Sequence, residues 1–239
     1  MTKSIHLSLD AMGGDNAPEI IVKGAAQSKI RHPNVKFSFF GNKNKLLPLI
    51  SSIKILKNSD IIHTNEFIDA NEKPSIAVRK GKNSSMSMAI QSVKSGHADA
   101  IISAGNTGAL MAMTKLFLRP IEGISRPAIA AYFPTITGES CMLDLGANIE
   151  CDAKNLVQFA FMGQAFANIV MGVTNPSISL LNIGEEEQKG LDYIKEASQI
   201  LSNLKDQINY TGFIEGDKIA QTISDVIIAD GFSGNVSLK

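Results

Sequence analysis

The stretch ADAIISAGNTGALMAMTKLFLR, residues 98–119, decides the fold. An apolar run over 98–104 ends at Gly105-Asn106-Thr107-Gly108, and apolar residues then recur at helical spacing up to Arg119. A strand that turns through small residues straight into a helix is the first half of a crossover unit, whose next strand runs parallel to the first. The same signature returns along the chain. SIHLSLDA (4–11), VKFSFFG (35–41), SDIIHT (59–64), AIAAYFP (128–134), SCMLDLG (140–146), SISLLNIG (177–184), INYTGFIEG (208–216) and DVIIADGF (225–232) read as strands. Helical patterns run from Pro18 (with Asp15 or Asn16 as cap), over 74–96 with a break near 81–83, over 153–171 and over 190–206. The expected class is α/β: a three-layer α/β/α arrangement around a mostly parallel sheet. A hairpin across Thr137-Gly138-Glu139 would make that sheet mixed. No repeat, low-complexity tract or linker divides residues 1–239, so one domain is expected.

Composition removes several function classes. Lys+Arg and Asp+Glu are both 23, so the net charge is zero, and non-specific nucleic-acid binding, which needs a basic surface, is not expected. Cys141 and Cys151 supply neither a disulfide framework nor metal-ligand spacing. The opening MTKSIHLSLD has no signal-peptide pattern, which points to a reducing cytosol. Residues 155–184 carry no charge, long enough to raise the question of a membrane span. Asn155, Gln158, Gln164 and Asn168 interrupt it and no Lys/Arg cluster flanks it, so its strongly apolar part, NLVQFAFMGQAFANIVMG (155–172), reads as a helix buried in a core or a subunit interface.

In open α/β sheets, ligands bind beyond the carboxyl ends of the strands. Five short loops follow strands here: DAMGGDN (10–16), SAGNTG (103–108), DLGAN (144–148), NIGEEEQKG (182–190) and DGFSGN (230–235). Placed at one edge of one sheet, such loops let backbone N–H groups approach a ligand, and helix N-termini favour an anion. None matches a nucleotide-binding fingerprint. Asp10, Asp15, Asp144, Glu185, Glu186, Glu187 and Asp230 would ring this mouth, as helix caps and loop anchors or as oxygen ligands for a divalent cation. Cations come from Arg79, Lys80 and Lys82 beside Ser84 and Ser85, and from Lys189 and Arg126. Ser84 there is alternatively a plain helix cap. His6, His32, His63 and His97 stand apart from any Ser or Cys loop, and no G-x-S-x-G elbow exists, so a nucleophilic triad is not expected. Cys151 reads as a small buried residue.

Taken together and in order, LDAMGGD, SAGNTGALM, LDLGAN, VQFAFMG, LLNIGEEEQKG and DGFSGNVSLK resemble the PlsX phosphate acyltransferase family of bacterial phospholipid synthesis. The resemblance implies transfer of a fatty acyl group from acyl–acyl carrier protein to inorganic phosphate. The acyl phosphate would feed a membrane glycerol-3-phosphate acyltransferase. It also implies a homodimer, cytoplasmic and peripheral to the inner face of the membrane. The implied fold is similar to isocitrate/isopropylmalate dehydrogenases and phosphotransacetylases. No resident cofactor or metal is required, although a divalent cation is compatible with the acidic loops. Under this reading Gly105, Asn106, Thr107 and Gly108 act at the reacting centre. Asp10, Gly13, Gly14, Arg79, Ser84, Ser85, Asn148, Glu185, Lys189 and Asn235 bind phosphate or shape the cleft. Family members continue well past the DGF-x-GN loop, so the chain reads as cut. The missing helices are those tied to dimerisation, carrier-protein docking and membrane association. Three rivals remain: a metal-dependent dehydrogenase of the same fold, a non-catalytic remnant that binds carrier protein or phosphate, and phosphotransacetylase-type transfer from acetyl-CoA.

Overall fold

The computed structural model describes residues 4–136, 138–221 and 224–239. The chain divides into two compact units, Met1–Arg119 and Pro120–Lys239, each with its own sheet. This differs from the one sheet in one domain that the sequence leads one to expect. The junction lies in RPIEGISRP, which has none of the Gly/Ser-rich composition of a linker, so nothing local marks the division.

The first unit runs β1 (His6–Asp10), α1 (Glu19–Arg31), β2 (Lys36–Gly41), α2 (Lys43–Ser52), β3 (Asp60–His63), α3 (Pro74–Lys80), α4 (Ser85–Lys94), β4 (Ala100–Ile102) and α5 (Thr107–Leu118). Its strands are ordered β3-β2-β1-β4 and all parallel. Alternation in β1 and β2 sends Leu9, Phe37 and Phe39 into a core with Val22 and Ala25 of α1 and Leu46 and Ile50 of α2. Met86 and Ile90 of α4 pack with Ala109 and Met113 of α5, with Ile101 of β4 against them. Helices thus lie on both faces, as an all-parallel sheet requires. The break expected near 81–83 separates α3 from α4. The cap expected for α1 is absent. Pro18 is the N-cap and, having no polar side chain, makes no side-chain bond; residues 14–17 before it form a backbone turn from Ala17 N to the Gly14 carbonyl. α2 was not legible, since Pro48 lies inside it; Asn42 secures its start by accepting from Asn44 N and Lys45 N.

The second unit runs β5 (Ala130–Thr135), β6 (Gly138–Leu143), α6 (Ala153–Phe166), β7 (Ser177–Leu181), α7 (Asp192–Ser202), β8 (Asn209–Ile214), β9 (Val226–Ile228) and α8 (Gly231–Leu238). Its sheet is ordered β5-β6-β9-β7-β8. β5 is antiparallel to β6 and the remaining pairs are parallel, so this sheet is mixed as expected. Thr137, in the expected hairpin turn, lies outside the described residues. Leu143, Ile178, Leu180, Val226 and Ile228 form the floor of the core under Leu156, Phe159 and Ala160 of α6 and Ala197 and Leu201 of α7. Gly163 lets α6 approach closely, since a Cβ there would sit 2.5 Å from Val226 Cγ1. Full burial of Leu156 and Phe159 contributes about 1.5–3 kcal/mol each. After a π-helical turn over Ala167–Met171, Gly172 at φ 73° ends the helix. The charge-free stretch is therefore the core helix α6, an exposed π-helical end and the strand β7, and among the described residues no helix is long and apolar enough to cross a membrane.

Candidate active site

In the first unit, the carboxyl end of β1 carries Asp10, which is 2% exposed. One carboxylate oxygen accepts from the Ser85 hydroxyl at 2.5 Å, and the other from the Ser103 hydroxyl at 2.7 Å. Ser103 Oγ in turn accepts from Gly105 N at 3.1 Å. One carboxylate therefore ties the first turn of α4 to the Gly105–Gly108 loop. Gly13 makes the approach possible, because a Cβ there would stand 2.5 Å from Asp10 Oδ2 and 2.9 Å from Gly105 N. Gly14 adopts φ 100° and passes the Ala104 carbonyl oxygen, which a Cβ would meet at 3.0 Å.

Asn106 caps α5: its Oδ1 accepts from Ala109 N at 2.9 Å. Its amide group donates to the carbonyls of Ala70 at 2.9 Å and Glu72 at 2.8 Å, clamping the 69–72 turn to the helix start. Both ends of this side chain are thus engaged within the protein. Thr107 and Gly108 are exposed, and a Cβ at Gly108 would sit 2.8 Å from Pro74 Cγ. Ser84 is fully buried as the cap of α4, accepting from Ser87 N and donating to the Gly81 carbonyl. The two serines expected to hold phosphate therefore spend their hydroxyls inside the unit: Ser84 on its helix and Ser85 on Asp10. Arg79, at the end of α3, is exposed and has no acidic partner among the described residues.

In the second unit, the ends of the adjacent strands β6 and β9 converge. Asp144, fully buried, accepts from Ile129 N and Ala147 N on Oδ1 and from Asn148 N and Asn148 Nδ2 on Oδ2, at 2.7–3.1 Å. Asn148 also donates to the Pro127 carbonyl, and its own carbonyl accepts from Gly231 N. Asp230 caps α8 by accepting from Phe232 N and Ser233 N, and its second oxygen accepts from the hydroxyls of Ser233 and Tyr193. Gly231 and Gly234 bring α8 against this loop; a Cβ at Gly234 would run into the Asp144 carbonyl. Asn235 lies over Gly146, whose added Cβ would be 3.6 Å from the asparagine side chain. Burial, reinforced by Asp230, pushes the Tyr193 phenol up to about 12. Burial likewise raises the Cys151 thiol to about 11, so this cysteine is a poor nucleophile.

The NIGEEEQKG loop is organised by Asn182, whose amide donates to the carbonyls of Gly184 and Lys189. Glu185 pairs with Lys218 at 2.6 Å and Lys189 with Glu186 at 2.9 Å, all four side chains half-exposed. Glu185 does not stand at a helix start, since α7 begins only at Asp192. Lys189 therefore already has an acidic partner, which raises its pKa and lowers that of Glu186.

The candidate residues thus fall into two sets. Asp10, Gly13, Gly14, Ser84, Ser85, Gly105, Asn106, Thr107 and Gly108 gather at the carboxyl edge of the first sheet, with Arg79 on α3. Asn148 and Asn235 gather at the β6–β9 edge of the second, while Glu185 and Lys189 sit in its β7 loop. Sequence reasoning missed Ser103, Asn182 and Tyr193. Ser103 had a signal, as the hydroxyl residue two before Gly105 in an ST-type turn, whereas Tyr193 had none. No cluster of three or more His, Cys, Asp or Glu side chains suited to a metal occurs among the described residues.

Residues 5–239 match the model of the family described as fatty acid synthesis protein. The phosphate acyltransferase of Rhodospirillum centenum is 50% identical over 240 residues, covering 100% of this chain and 68% of the relative. A phosphotransacetylase from Staphylococcus aureus superposes with a TM-score of 0.70 at 17% identity, over 98% of this chain and 80% of the other. A putative 4-hydroxythreonine-4-phosphate dehydrogenase from Salmonella typhimurium gives 0.58 at 15% identity, over 99% and 84%. These two likenesses establish the α/β fold and bear out the expected similarity to phosphotransacetylase and dehydrogenase folds. With half its residues identical to a curated phosphate acyltransferase across its whole length, the chain belongs to the fatty acid synthesis protein family.

Proposed function

We propose that the chain is an acyltransferase that moves a fatty acyl group from acyl–acyl carrier protein to inorganic phosphate, supplying acyl phosphate for phospholipid synthesis. The observation that carries this reading is the 50% identity to a phosphate acyltransferase over all of this chain. The site chemistry supports it. A phosphate oxygen attacks the thioester carbonyl carbon, a tetrahedral oxyanion forms, and its collapse breaks the C–S bond. The thiolate leaves and takes up a proton. Phosphate is itself the nucleophile, so the reaction asks the protein for positioning and charge stabilisation rather than a covalent intermediate. In the first unit, the start of α5 offers the Thr107 and Gly108 amides and the Thr107 hydroxyl, which have no acceptor among the described residues. Arg79 supplies a free positive charge. Asp10, Gly13 and Asn106 fix the loop that presents these donors.

The same reading makes the enzyme a cytoplasmic homodimer that needs no resident cofactor, acts at the inner face of the membrane and hands its product to a glycerol-3-phosphate acyltransferase. Comparing long-chain acyl–acyl carrier protein with acetyl-CoA as donor tests it. Thiol release that requires phosphate and favours the carrier protein is expected. Preference for acetyl-CoA would instead identify a phosphotransacetylase-type enzyme, and binding of carrier protein without turnover a non-catalytic module.

A further inference from the structure

We propose that Ser103 is a positioning residue for this transfer: its hydroxyl couples the buried Asp10 carboxylate to the Gly105 amide and so sets the pose of the α5 N-terminus. The inference rests on the functional reading above for its kinetic consequence, but not for its geometry. Gly105 N is spent on Ser103 Oγ, Ala109 N on Asn106 Oδ1, Leu110 N on the Asn106 carbonyl and Asn106 Nδ2 on the 70–72 carbonyls. What the loop has left for a ligand are the Asn106, Thr107 and Gly108 amides and the Thr107 hydroxyl. Their direction depends on how Gly105 and the Asn106 side chain are held.

Asp10 does not bond Gly105 itself: its oxygens accept from Ser85 and Met12 N on one side and from Ser103 on the other, and Gly105 N donates to Ser103 Oγ. A hydroxyl both donates and accepts. Ser103 donates to Asp10 Oδ2 at 2.7 Å and accepts from Gly105 N at 3.1 Å, so it transmits the fixed position of β1 to the loop. Removing it leaves a carboxylate oxygen and an amide N–H each without this partner. Threonine keeps the relay; alanine cannot.

Two measurements on the 239-residue chain test this with Ser103→Ala and Ser103→Thr. The first is amide hydrogen exchange at Gly105, which should accelerate by about tenfold or more in Ser103→Ala and return towards wild type in Ser103→Thr. The second is the phosphate dependence of acyl phosphate formation. Ser103→Ala should lower kcat/KM for phosphate by roughly 10- to 100-fold, leave KM for the acyl donor unchanged, and be rescued by Ser103→Thr. If Ser103→Ala does not fold, Ser103→Cys, with its weakly bonding thiol, replaces it in both. Wild-type exchange at Gly105 in the alanine variant would overturn the relay. So would wild-type phosphate kinetics in an active chain. If the wild-type chain makes no acyl phosphate, the functional reading falls, and the exchange measurement alone then decides the relay.

Discussion

Replacing Asp144 by asparagine keeps the size of the side chain but removes half of its accepting capacity. The carboxylate takes four N–H bonds, two on each oxygen, from Ile129, Ala147 and twice from Asn148. An asparagine oxygen can still take two. Its NH2 group must then face the other two donors, whichever way the amide is turned. Two bonds to a charged acceptor are lost at about 1.5–3 kcal/mol each, giving roughly 3–6 kcal/mol. Neutralising a fully buried carboxylate recovers part of its desolvation cost, which places the expected loss near the lower end, about 3 kcal/mol. Urea unfolding measures it without an added probe. The chain has no Trp, and its three tyrosines, Tyr132, Tyr193 and Tyr210, all lie in the second unit, so tyrosine fluorescence follows that unit alone. A loss below about 1 kcal/mol would show that the Asp144 network does not hold the β6–β9 loops in place.

Other perturbations are expected to act as follows. Gly13→Ala drives a Cβ between Asp10 and Gly105 N; it should cost about 1–3 kcal/mol in urea unfolding and at least tenfold in phosphate-dependent turnover. Gly24→Ala, exposed inside α1 with nothing within 4 Å of the new methyl, should stabilise the first unit by about 0.5–1 kcal/mol and leave turnover unchanged. Tyr193 and Tyr210 are both raised from 10.0 to about 12, first by burial. The folded state therefore holds these protons more tightly. Their contribution to stability is complete below about pH 10 and is lost as the pH rises to about 12, seen as late phenolate absorbance and a falling urea midpoint over that window.

The secondary structure was largely legible because its signals are local. The Gly81–Asn83 break, the 153–171 helix and the strand–GNTG–helix unit each show their period or their breaker in a few residues. α2 escaped because Pro48 argues against the helix that Asn42 nevertheless starts. The division into two sheets was not legible, since strand pairing is a long-range choice and nothing in AIAAYFP or SDIIHT states its neighbour. At the candidate site, the five loops do follow strands, but two border the first sheet and three the second rather than one edge of one sheet, and the bonding within them differs from the expectation. Ser85 and Asn106 read as free hydroxyl and amide donors, yet one is spent on a buried carboxylate and the other on carbonyls more than 30 residues away, while Ser84 takes the helix-cap role that was its alternative reading. Whether a polar side chain is free depends on partners that the chain brings together only on folding. The Asp10–Ser103 contact spans 93 positions, and no spacing rule reaches that far.

The central claim is that inorganic phosphate, not water, receives the acyl group. Incubating the chain with long-chain acyl–acyl carrier protein and labelled phosphate, then trapping with hydroxylamine, tests it most directly. The account predicts label in an acyl phosphate, formed in step with thiol release and converted to acyl hydroxamate. Thiol release by the folded chain with no label in an acyl product would contradict it.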